Sequence, residues 1–137
     1  MEISNQAKTY RSLGTISYSC QYHVLFCTKW RRKVLHDEVV GHLKSLVEEK
    51  QADFGYILNS IDIASDHVHL MLELPPNQSV CTVISKIKGY TSNVLRSNYK
   101  ELRSRIPTLW TRYYMVSSVG NIQLSDLEEF LAAQNKN

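Results

Sequence analysis

Residues 67–74 read His-Val-His-Leu-Met-Leu-Glu-Leu, and their alternation leaves little choice of structure. Successive side chains of a β-strand point to opposite faces. Val68, Leu70, Leu72 and Leu74 therefore share one face and belong in a core, while His67, His69, Met71 and Glu73 share the other. Pro75 and Pro76 end the strand, because proline cannot donate to a ladder. Two imidazoles side by side, away from the core, are the start of a metal site. They leave a coordination shell incomplete, so a third protein ligand is needed. A His-x-His pair also occurs as ordinary packing on half-buried strands, and the rest of the chain must decide.

The flanking segments place this strand in a fold. Residues 15–28, "TISYSCQYHVLFCT", are rich in β-branched and aromatic residues and read as one long strand. Val39, Val40, Leu43, Leu46 and Val47 fall at helical spacing, with His36 or Asp37 as cap. Residues 56–65 alternate around Ile57, Asn59, Ile61 and Ile63, giving a strand that meets the histidine strand across "ASD" as a hairpin. A long helix over 79–99 follows, capped by Ser79, with Val80, Val83, Ile84, Ile87, Thr91, Val94 and Leu95 as its buried stripe. "LWTRYYMVSSVG" gives a fourth strand. A last helix within 123–137 opens on Ser125-x-x-Glu128, a capping box. Residues 1–12 read as a loose tail.

The order β-α-β-β-α-β plus a C-terminal helix is the ferredoxin-like split βαβ arrangement. The fold class is α+β: a four-stranded antiparallel sheet with two helices on one face. The whole chain, 1–137, reads as one domain. The histidines would lie on the face the two helices leave open. On the last helix Gln134 follows Phe130 by four residues, so the two project from one side. The side-chain oxygen of Gln134 suits a hard cation such as Mg²⁺ or Mn²⁺.

The net charge is only +3, but residues 29–33 and 86–112 hold 11 of the 16 basic residues and only one of the 13 acids, Glu101. Such segregation suits either a phosphate-backbone partner or a solvated helix face. No apolar run is long enough for a membrane span, and the N-terminal stretch lacks the apolar middle of a secretory signal. Cys20, Cys27 and Cys81 contain no CxxC spacing, and the first two read as reduced core residues of a cytoplasmic protein.

Several stretches together resemble the single-tyrosine HUH transposases of the smallest bacterial insertion sequences, the IS200-like family. They are "YHVLFCTKWRRKVL", "DHVHLMLELPP", "VISKIKGYTSNVL" and "LWTRYYMVSSVG", in that order. The resemblance implies a homodimeric bacterial or archaeal enzyme, cytoplasmic and nucleoid-associated, that binds hairpins in single-stranded DNA. It implies a divalent metal held by His67, His69 and Gln134, with the C-terminal helix completing its own or the partner's site. Asp66 would support a ligand imidazole. A tyrosine four residues before the glutamine attacks a phosphodiester in this family; here that position is Phe130, which cannot.

The chain is therefore expected to bind DNA without cleaving it, as an engineered variant or a natural copy that has lost the nucleophile. Tyr113 or Tyr114 as a substitute is the less favoured reading. Phosphate contacts are expected from Lys29, Arg31, Arg32 and Lys33, and from Lys86, Lys88, Arg96, Arg103 and Arg105. Trp30 either stacks on a base or covers the sheet edge. Trp110 and His23 read as packing residues. The alternatives are a non-catalytic hairpin-binding regulator of DNA or RNA derived from a transposase, and a small metal-dependent enzyme acting on a metabolite.

Overall fold

A computed structural model describes residues 11–118 and 124–134. The main sheet is antiparallel throughout, with strands β3 (Gln21–Thr28), β4 (Ile57–Ile63), β5 (His67–Glu73) and β6 (Trp110–Ser118) in the spatial order β4-β5-β3-β6. Helices α1 (Glu38–Glu49) and α3 (Val80–Asn98) pack on one face of it. Short helices α2 (Gln51–Phe54) and α4 (Glu101–Ser104) follow them, and α5 (Leu124–Ala133) closes the described chain. This is the ferredoxin-like split βαβ fold, with the C-terminal helix added.

The core forms because the alternation in the strands matches the stripes on the helices. Val24 and Phe26 of β3 and Val68, Leu70 and Leu72 of β5 are fully buried against Val39, Leu43 and Val47 of α1 and Val83, Ile84, Ile87 and Leu95 of α3. Trp110 belongs to the same cluster, edge-on to Phe26, with its indole N–H donating to Thr91 Oγ1 at 3.0 Å. Ser79 caps α3 by accepting from the Thr82 amide. Asp37 occupies the cap position of α1 but its side chain makes no cap hydrogen bond, contrary to expectation.

Two boundaries differ from the sequence reading. The expected strand 15–28 is broken at Ser19 and Cys20 into β2 (Ile16–Tyr18) and β3. Arg11 and Ser12 are not tail: β1 (Arg11–Leu13) pairs with β2 as a hairpin, through a two-residue turn in which Gly14 takes a positive φ of 59°. The hairpin is tied down by Arg11 Nε, 2.6 Å from Glu73 Oε2. Glu73, at the far end of the histidine face, is thereby buried and paired. Residues 1–10 of the expected tail and the ends of the expected 123–137 helix lie outside the described residues, as does the Ser125 side chain of the capping box. Among the described residues, no helix is long and apolar enough to cross a membrane.

Candidate metal and nucleic-acid site

The register places the histidines at one end of the sheet. His67 pairs with Cys27 and His69 with Leu25, so both imidazoles lie on the face opposite α1 and α3. That face is not bare: Leu25 and Cys27 lie on it and are almost wholly buried. Burial pushes the Cys27 thiol up to about 11, so it is no thiolate nucleophile.

His67 is the oriented member of the pair. Its Nδ1 donates to Asp66 Oδ1 at 2.9 Å, which leaves Nε2 with its lone pair for a ligand. Asp66 itself is buried, and its other oxygen accepts from Arg31 Nε at 3.0 Å and lies 2.8 Å from Arg31 Nη2. His69 has a different neighbour. Its Nε2 lies 3.0 Å from Nδ1 of His23, the rings stacking with centroids 5.2 Å apart. His23, a packing residue by its sequence, is thus the diagonal partner of a candidate ligand. Burial lowers the proton affinity of both rings, with His23 adding to the effect at His69, and this favours the neutral imidazole that ligates metals.

The C-terminal helix reaches this end of the sheet within the same chain. Arg31 Nη1 donates to the Leu131 carbonyl at 2.7 Å. Gln134 is 4% exposed, and its Oε1 is buried with no hydrogen-bond partner among the described atoms. Such an orphaned acceptor is costly in a dry site and is what a hard cation's ligand looks like before the cation is bound. Among the described residues, no three His, Cys, Asp or Glu side chains converge for a metal. A cation on the imidazole pair would need a donor of another type, and the carboxamide of Gln134 is of the right chemistry. Phe130, half-buried, stands one turn before it.

The basic residues separate into two groups. The turn Lys29–Arg31 follows β3, and the Lys29 amide donates to Leu109 at the entry to β6. The end of the sheet carrying His67 therefore also carries Arg32 and Lys33, both exposed, and half-buried Lys29. Arg103 and Arg105 are exposed around α4, and Arg96 is held by the Ile106 carbonyl at 3.1 Å. Lys86 is exposed near the start of α3. Lys88 and Arg31 turn inward instead. Lys88 Nζ donates to the carbonyls of Thr111 (2.7 Å) and Arg112 (3.3 Å). Trp30 is 49% exposed, with Lys29 Nζ and the Arg32 guanidinium each 5.9 Å from its ring centre. Tyr113 is exposed and Tyr114 packs against the core.

The family model for IS200-like transposases matches residues 16–134. The chain belongs to the IS200-like transposase family. This transposase is 33% identical over 116 residues to the transposase of insertion sequence element IS200 from Salmonella typhimurium, covering 80% of this chain and 74% of that one. It is 26% identical over 120 residues to the ISDra2 transposase of Deinococcus radiodurans, covering 86% of each. Its fold superimposes on a crystal structure of a Deinococcus radiodurans R1 protein with a TM-score of 0.84, at 25% identity and over 92% and 98% of the two chains. It shares its fold with a REP-associated tyrosine transposase bound to a REP hairpin, at a TM-score of 0.56 and 12% identity, over 88% of this chain and 67% of that one. Backbone strain also marks this site, and periodicity carries no signal of it. Trp30 and Arg31 both hold positive φ, 58° and 50°. Two consecutive non-glycine residues in that region cost on the order of 1–3 kcal/mol each and persist only where surrounding contacts enforce them.

Proposed function

We propose that this transposase binds hairpins in single-stranded transposon DNA and, as the chain stands, does not cut them. Two observations support the reading: an oriented His67, and a buried, unpartnered Oε1 of Gln134 on a helix anchored to the same end of the sheet. His67, His69 and Gln134 would hold Mg²⁺ or Mn²⁺, and Asp66 sets the His67 tautomer. When bound, the ion polarises a phosphodiester and eases departure of the leaving oxygen. Arg32, Lys33, Arg103 and Arg105 would take phosphates, and Trp30 would stack on an unpaired base. We read the chain as a single domain acting as a homodimer in a bacterial or archaeal cytoplasm, at the nucleoid.

Phe130 explains the expected silence. A phenol at 130 could give up its proton, form a bond from its oxygen to the 5′-phosphate and release a 3′-hydroxyl. A phenyl ring has no such oxygen. The Phe130→Tyr variant is the test. On a hairpin-containing single strand with Mn²⁺ it is expected to cleave and to leave one strand covalently attached, whereas the parent leaves the strand intact. Binding by both proteins without cleavage by either would instead favour a non-catalytic hairpin-binding regulator. Failure of both to bind hairpin strands would sink the reading.

A further inference from the structure

We infer that Arg31 is a positioning residue, a latch that seats α5 on the histidine strand. Its guanidinium makes a three-way junction. One edge, Nε and Nη2, faces Asp66 Oδ2 at 3.0 and 2.8 Å, and Nη1 donates to the Leu131 carbonyl at 2.7 Å. Asp66 passes the contact on through Oδ1 to His67 Nδ1 at 2.9 Å. An unbroken chain of charge-assisted hydrogen bonds therefore runs from the last helix to the first candidate ligand.

The chemistry of the acceptor makes this more than proximity. Leu131 lies in the final turn of α5, where carbonyls have no partner within the helix. A cation there supplies a missing donor and meets the negative end of the helix dipole. Arginine, planar and forked, is suited to bridge a carboxylate and a carbonyl at once in a fixed geometry. Leu131 is the residue after Phe130 and the third before Gln134, so holding its carbonyl sets both the height and the rotation of the helix that carries them. The side chains of Arg31 and Asp66 are 19% and 10% exposed, so water competes poorly for these bonds. The left-handed backbone at Trp30 and Arg31 fits the same role: it turns one side chain out to solvent and drives its neighbour inward.

The consequence for metal affinity rests on the proposed ligand set, but the latch itself does not. Hydrogen exchange of the metal-free chain tests the latch alone. In Arg31→Gln, amides over 124–134 are expected to exchange about tenfold faster, while those of α1, α3 and β5 keep their protection. Arg31→Lys, with a point charge in place of the fork, should fall between. It also serves as the test variant should Arg31→Gln not fold. Manganese titration, followed by the resonance of free Mn²⁺, is expected to show about tenfold weaker binding in Arg31→Gln, the usual scale for losing support behind a ligand. Unchanged α5 exchange in both variants overturns the latch, whatever the manganese result. Faster α5 exchange in a chain whose parent never binds Mn²⁺ upholds the latch and overturns the metal reading instead.

Discussion

Lys88 shows how far one residue's place can depart from its formal charge. Its ammonium lies against two backbone carbonyls of β6 and near the rings of Phe26 and Tyr114, 5.8 and 5.1 Å from their centres. Burial pushes it down to about 8. Below that pH the folded and unfolded chains both carry the proton, and the cost of burying the charge is present in full. As pH rises from 8 towards the ordinary lysine value, the unfolded chain keeps its proton while the folded one has released it, so stability rises. Cys27 opposes this: its raised thiol stays protonated in the fold where the unfolded chain ionises. Tyr114, raised by its contact with Cys81 and by burial, acts in the same opposing sense. Comparison with Lys88→Met cancels both to first order. The unfolding free energy of the parent minus that of the variant, from urea titrations, is expected to increase between pH 7 and pH 10. A difference independent of pH would mean that the ammonium is solvated.

At the scale of elements, the joint between α2 and β4 is the place where one atom decides. Gly55 ends α2 with φ +81°, its amide donating to the Gln51 carbonyl. A Cβ there would fall 1.9 Å from Gln78 Nε2, the group that donates to Phe54. Gly55→Ala is expected to destabilise the chain by about 1–2 kcal/mol, from the left-handed backbone and the displaced amide together. A shift of the urea midpoint without a change in slope would report it. What could be read in advance from the sequence follows the length of each pattern. The period-two run at 67–74 and the stripes of α1 and α3 are long enough to fix type and face. The α2 and α4 helices span four residues each, too few for a period to appear. The β1–β2 hairpin depends on Arg11 meeting Glu73, 62 residues away, a contact no local pattern encodes. The inward turn of Lys88 and Arg31 is hidden for the same reason, since their carbonyl partners come from β6 and α5. By contrast, support of His67 by Asp66 could be expected, because the partner is adjacent in the chain.

Across the whole molecule, the proposed reading puts the working surface of the segregated charge at the end of the sheet where β3 ends, β6 begins and His67 stands. Arg32 and Lys33 are exposed there, and Arg103 and Arg105 are exposed around α4, where Arg103 also donates to the carbonyls of Arg96 and Ser97. If they meet a DNA backbone, affinity is governed by counterion release. Each neutralised phosphate of a single strand then contributes about 0.7 to the slope of log affinity against log salt. Four such contacts predict a slope near −3, and Lys33→Ala is expected to flatten it by about 0.7 while weakening all hairpin sequences alike. Lys88→Ala is the control within the same charge run. Its ammonium is committed to Thr111 and Arg112, so the slope should not change even where stability does. Fluorescence anisotropy of a labelled hairpin strand, measured over a series of salt concentrations, separates the two. Equal flattening by both substitutions would mean that the charge run acts as one diffuse field, and that the side-chain directions seen here do not select which cations reach the DNA.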